Sequence, residues 1–255
     1  MRAIQFDNIW KDFKIGMKRT TVLHGLSLGI NRGEIFGFLG PNGAGKSTAN
    51  GAGKSTAIKL ILNFIKPTRG TITLEELVVG QDAFQHLIGY SAETPCFYEN
   101  LTGRETLLFA GKASGMDREA VYERTEDVLR GLDLSAAGSW PIKTYSKGMK
   151  QRLGLAVALV HEPRIYVLDE PMSGLDPLGR RLITDVILEL REKGKTVFFS
   201  SHILSDVERL CDRIGVLNKG ELLYCGEVDA FSRNAATFED AFINLIEGHE
   251  RGKNV

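Results

Sequence analysis

Gly40-Pro41-Asn42-Gly43-Ala44-Gly45-Lys46-Ser47-Thr48-Ala49 is followed at once by Asn50-Gly51-Ala52-Gly53-Lys54-Ser55-Thr56-Ala57, so the octapeptide NGAGKSTA occurs twice in tandem. Gly, four residues, then Gly-Lys-Ser/Thr is the pattern of a loop that cradles nucleotide phosphates. Its backbone N–H groups and the helix that follows present positive charge to an anion, and the glycines permit close approach. The lysine adds charge on the outer phosphates, and the Ser hydroxyl is a ligand for Mg²⁺. The first copy meets the pattern strictly, through Gly40, Asn42, Gly43, Gly45, Lys46, Ser47 and Thr48. The second offers Asn50, Gly51, Gly53, Lys54, Ser55 and Thr56 but has Thr48 where the leading Gly belongs.

The flanks give the loop its context. Glu34–Leu39 reads as a short buried strand running into Gly40, and Ala57–Ile65 reads as a helix from the spacing of Ile58, Ile61, Leu62 and Ile65. Lys66-Pro67-Thr68-Arg69-Gly70 reads as its stop. Two placements of the loop are open. If the first copy binds phosphate, the helix passes through Gly51 and Gly53 at about 1 kcal/mol each. The eight extra residues then turn its apolar stripe by about 80° and move it about 12 Å. If the second copy binds, the helix keeps its register and residues 40–49 form a bulge, at the cost of Thr48 in a glycine position. Loop insertions cost less than a misaligned core helix, so we expect the second copy to be the phosphate loop.

Upstream, strands are expected around Ile4, Phe6 and Ile9 and over Val22–Leu28. Downstream, Asn100–Met116 and Asp117–Leu134 read as amphipathic helices, and another begins near Lys147. Strand and helix then alternate: Ile165–Leu168, helix Leu178–Lys193, strand Thr196–Ser200, short helix Leu204–Cys211, and a hairpin across Asn218-Lys219-Gly220. The pattern predicts an α/β sheet with a helical insertion in its middle. A short closing helix at Thr237–Ile243 and a frayed tail at Glu250–Val255 are expected after it.

The 255 residues are 43% hydrophobic and 25% charged, with 32 basic and 32 acidic side chains. Zero net charge gives no basic footprint for nucleic acid, and none is expected as a partner. Cys96, Cys211 and Cys225 lack metal-site spacing and read as reduced thiols. No run reaches the ~18 apolar residues of a membrane span. Service at a membrane therefore requires a partner.

A second chemical element is Leu168-Asp169-Glu170, where a strand carries Asp169 to its end as a candidate Mg²⁺ ligand and Glu170 can polarise a water. Together with Tyr145-Ser146-Lys147-Gly148-Met149-Lys150-Gln151-Arg152, Ser173-Gly174-Leu175-Asp176 and His202 after a strand, the order resembles the ATP-binding cassette ATPases over about residues 4–230.

The resemblance implies a P-loop NTPase (RecA-like) core with a mixed sheet, an N-terminal antiparallel β region and an inserted α-helical subdomain at about 94–152, the ATPase domain closing near 232. It implies Phe13 under adenine, and Ser146, Lys147, Gly148, Met149 and Lys150 as the signature loop that caps ATP on a partner subunit. It further implies Ser173 and Asp176 as the D-loop, with His202 on the γ-phosphate. Where the family has a Gln after Ile88–Ala92, this chain has Glu93, a catalytic and Mg²⁺-binding candidate. The metal set is then Ser47 or Ser55 with Asp169 and Glu93.

ATP and Mg²⁺ are the implied cofactors. The implied partners are an integral-membrane permease and a second ATPase subunit, in a homodimer or pseudo-dimer at the cytoplasmic face of the cell membrane. Glu93 and the signature form resemble the bacterial drug, antibiotic-resistance and ABC-2-type exporter branch. Two other functions stay open: a nucleotide-binding subunit whose hydrolysis is impaired by the duplication, and a soluble, non-transport cassette ATPase.

Overall fold

The structure, a computed structural model, describes residues 1–41 and 53–252. Asn42, Gly43, Gly45, Lys46, Ser47, Thr48, Asn50 and Gly51 lie outside the described residues. The chain packs as two compact units, Met1–Phe84 with Ser200–Val255, and Gln85–Phe199.

In the first unit, β1 (Arg2–Ile15) and β2 (Lys18–Asn31) form a long antiparallel hairpin. Strands β4 (Arg69–Leu74) and β5 (Leu77–Val78) extend it in the order β2-β1-β4-β5. Alternation puts Ile4, Phe6, Leu28, Ile30, Ile72 and Leu74 inside, each at most 4% exposed. Another sheet segment orders β10 (Glu221–Glu227), β9 (Arg213–Asn218) and β3 (Ile35–Leu39) in that sequence. Strand β3 (Ile35–Leu39) is buried at every position, as a strand covered on both faces must be, and lies parallel to β9 (Arg213–Asn218). Asp212 fixes the start of that pair: its carboxylate accepts from Ile35 N at 2.8 Å, and its own N–H donates to Ile35 O at 2.9 Å. Strand β10 (Glu221–Glu227) returns antiparallel to β9, as expected for the hairpin.

Helix α1 (Lys54–Ile61) follows β3 and buries Ala57, Ile58, Leu60 and Ile61. It ends four residues before the expected Ile65. Asn63 takes a left-handed backbone (φ 56). Phe64 N then donates to Lys59 O at 2.9 Å and Asn63 N to Leu60 O at 3.1 Å. These two bonds satisfy the last carbonyls in a Schellman arrangement with Asn in the usual glycine place. The stretch after Pro67, read only as a stop, supplies β4. Helices α6 (Leu204–Leu210) and α7 (Val228–Ser232) precede α8 (Phe238–Gly252). The closing helix is thus longer than expected, and Glu250, Arg251 and Gly252 belong to it rather than to a tail.

In the second unit, β6 (Ile88–Ser91) and β7 (Ile165–Asp169) pair in parallel, and β8 (Thr196–Ser200) continues the order β8-β7-β6. Between β6 and β7 stand α2 (Gly103–Ala113), α3 (Arg118–Gly131) and α4 (Lys147–Leu159), and α5 (Pro177–Glu192) follows β7. Local chemistry sets the helix starts. Thr102 and Glu105 form a reciprocal capping box on α2, and Asp117 caps α3. Arg104 grips Glu126 through two bonds of 2.6 and 3.0 Å, tying α2 to α3.

Replacing Ile61, which is fully buried, by Ala is expected to lower stability by about 2–5 kcal/mol. Lys59→Ala, on the exposed side of the same helix, should stay within about 0.5 kcal/mol in urea unfolding.

Candidate active site

In the first unit, β3 delivers the chain to Gly40, and Gly53 is the residue ahead of α1. Gly53 is left-handed (φ 99), and a Cβ on it would stand 2.8 Å from Leu23 Cδ2 and 3.1 Å from Leu217 Cδ2. No other residue type fits there without displacing both leucines. Lys54 is the first helical residue. It is 8% exposed, and its Nζ donates to Gly40 O at 2.5 Å. A lysine so buried needs such a partner. The first turn of α1 carries no acid, so its positive dipole end and Lys54 together suit an anion. Ser55 is exposed and Thr56 half-buried beside it.

Two further expected residues belong to this unit. His202 is exposed in the turn after β8, where Ser201 Oγ accepts from Ile203 N at 3.0 Å. Phe13 is half-buried opposite Thr20 on the β1–β2 hairpin, with Lys11 Nζ 5.1 Å from its ring centroid.

The second unit holds the acids. Strand β7 ends at half-buried Asp169, and Glu170 follows at 7% exposure with a left-handed backbone (φ 49). Its carbonyl accepts from Ser173 N at 3.0 Å and starts the turn toward Asp176. Glu93 lies exposed two residues beyond β6. Tyr90 reports the convergence of Glu93 and Asp169. Burial, then Asp169, then Glu93 push its hydroxyl up to about 12. Sequence reasoning assigned Tyr90 no role, although its place three residues before Glu93 was visible. Among the described residues no three His, Cys, Asp or Glu side chains form a metal cage. The carboxylates of Asp169 and Glu93 are nevertheless donors of the kind Mg²⁺ takes, since it uses one or two protein carboxylates and completes its shell with water and substrate phosphates.

Of the residues expected in the signature loop and D-loop, Ser146, Gly148 and Asp176 line one cleft of about 510 Å³, beside Arg152 and Gly174. Ser146 caps α4 by accepting from Met149 N at 3.2 Å, and Asp176 caps α5 by accepting from Gly179 N at 2.8 Å. The tail of Lys147 lies over Gly174, where a Cβ would meet its Cε and Nζ at 2.8 Å. Lys150 pairs with Glu99 at 2.9 Å.

Glu93→Gln removes one of the charges facing Tyr90, so the Tyr90 value should fall from about 12 toward the ordinary 10. An ultraviolet titration of phenolate absorbance, with Tyr90→Phe marking the Tyr90 signal, checks this. An unchanged titration would separate Glu93 from Asp169.

The family model described as ABC transporter matches residues 49–173. An ABC transporter ATP-binding protein of Nostoc sp. is 40% identical over 240 residues, covering 93% of this chain and 68% of that protein. The linearmycin resistance ATP-binding protein LnrL of Bacillus subtilis is 36% identical over 233 residues, 90% of this chain and 71% of its own length. A solved ATP-binding subunit of an ABC transporter superposes with a TM-score of 0.84 at 30% identity, covering 95% of this chain and 99% of that one. The chain belongs to the ATP-binding cassette family, as an ATPase subunit of the ABC transporter type with a P-loop NTPase fold.

Proposed function

We propose that this subunit hydrolyses ATP to drive export through a membrane permease, and that Lys54, not Lys46, meets the phosphates. The observation that carries the lysine assignment is the start of α1 at Lys54, with Ala57, Ile58, Leu60 and Ile61 already buried. The family match, opening at Ala49, takes in the whole second copy and leaves all of the first but its last residue outside.

In this reading Gly53, Ser55 and Thr56 with Lys54 hold the phosphates. Phe13 stacks on adenine. Asp169, Glu93 and Ser55 hold Mg²⁺, which when bound neutralises charge on the phosphates. Glu170 polarises the attacking water and accepts its proton, and His202 contacts the γ-phosphate. Ser146 to Lys150, with Ser173 and Asp176, face ATP on a second subunit, so two chains assemble head to tail. The permease docks after Glu93 on the segment 94–102, where Tyr98 is 78% exposed. Among the described residues no helix is long and apolar enough to cross a membrane, so attachment at the cytoplasmic face runs through that partner. Export is supported by the likeness to a protein named for linearmycin resistance.

A second reading, binding with impaired hydrolysis, is favoured by Thr48 in the place of the leading glycine. Removing residues 50–57 restores a single strict loop. A large gain in ATP turnover on that deletion would support impairment, and equal rates would exclude it.

Lys54→Ala should weaken ATP binding at least about tenfold, or 1.4 kcal/mol, whereas Lys46→Ala should stay within about twofold. Fluorescent-nucleotide titration decides, and the reverse order would refute the assignment. Glu170→Gln should accumulate ATP-bound dimers, visible by light scattering. Full turnover in that variant would remove Glu170 from the water-activating role.

A further inference from the structure

Helix α8 lies beyond the expected ATPase domain, and one of its residues grips the β9–β10 hairpin. His249 Nδ1 faces Asn218 Nδ2 at 3.2 Å, and its Nε2 faces Glu221 Oε2 at 3.0 Å. With the ring proton on Nε2, the imidazole accepts from Asn218 and donates to Glu221, and both contacts are satisfied. Asn218 ends β9 and is 3% exposed; Glu221 begins β10. His249 therefore spans the two-residue turn Lys219-Gly220, whose backbones are both left-handed (φ 49 and 79). The neighbouring Lys219–Glu250 pair, at 2.8 Å, has side chains 57% and 47% exposed and adds little.

The same hairpin touches the approach to the phosphate loop. Gly220 O accepts from His24 N at 3.0 Å, and Gly220 lies against Val22 O with no room for a side chain. Leu217, beside Asn218, and Leu23, beside Val22, are the two side chains that close on Gly53. A continuous line of contacts thus runs from His249 through Asn218 and Leu217 to the residue that precedes Lys54.

We propose that His249 is a positioning residue for nucleotide binding: by clamping Asn218 and Glu221 it fixes the β9–β10 turn and so the seat of Gly53 at the start of α1. Its effect on ATP rests on the reading that Lys54 is the phosphate lysine. Helix α8 is then a brace for the loop rather than an appendage. Glutamine can reproduce both polar contacts of the ring, whereas alanine can make neither.

The test uses the full chain as His249→Ala and His249→Gln, with hydrogen–deuterium exchange and fluorescent ATP titration. Alanine is expected to speed exchange in residues 53–61 as well as 238–252, and to weaken ATP binding about fivefold. Glutamine should restore both to near the parent values. Faster exchange confined to 238–252, with ATP affinity unmoved, would overturn the proposal, because it is what simple loss of helix docking gives. Faster exchange at 53–61 with unchanged ATP affinity would leave the brace standing and remove Lys54 from the phosphates.

Discussion

The register of α1 constrains everything around the phosphate loop. Ala57, Ile58, Leu60 and Ile61 are at most 1% exposed. Burying a large aliphatic side chain is worth about 1.5–3 kcal/mol, so the three larger ones outweigh any local preference of the loop. Shifting this helix by eight residues would turn its apolar face by about 80°. A misplaced glycine or a threonine in a left-handed position costs about 1–2 kcal/mol. The core therefore dictates where the helix starts, and the helix start dictates which copy of NGAGKSTA adjoins it. Gly53 completes the constraint, since only a residue without a side chain passes between Leu23 and Leu217.

In the second unit, helix caps and turns rather than hydrophobic registers place the chemistry. Ser146 and Asp176 each spend a side-chain oxygen on a helix N-terminus, so the signature turn and the 173–176 turn are fixed by backbone bonds. Glu170 holds an unfavourable left-handed backbone while nearly buried, a strain that persists only where the surroundings enforce it. Asp169 and Glu93 place two negative charges near Tyr90.

Much of this was legible in the sequence because it rests on short-range rules. Strand β8 was read to the residue, and the expected β3 and α5 differ from the structure by a residue or two, since apolar runs and helix caps are local signals. The order of the motif residues became readable through their resemblance to the cassette ATPases. What escaped depends on contacts distant in sequence. Strand β4 hides behind Pro67 and Gly70, which read as a stop, and its place beside β1 is fixed by partners some 65 residues away. The early end of α1 turns on Asn63 accepting a left-handed backbone that periodicity cannot show. His249 was passed over because its partners, Asn218 and Glu221, lie about 30 residues back. The ordering of the two loop copies was legible only as a contest between core register and loop composition.

The most direct measurement labels the phosphate-binding lysine itself. An acyl-phosphate derivative of ATP transfers its acyl group to the amine beside the terminal phosphate, and peptide mass spectrometry separates Lys46 from Lys54. Acylation of Lys54 that excess ATP suppresses, with Lys46 unlabelled, is the expected result. ATP-suppressible acylation of Lys46 with Lys54 spared would contradict the account and place the working loop in the first copy.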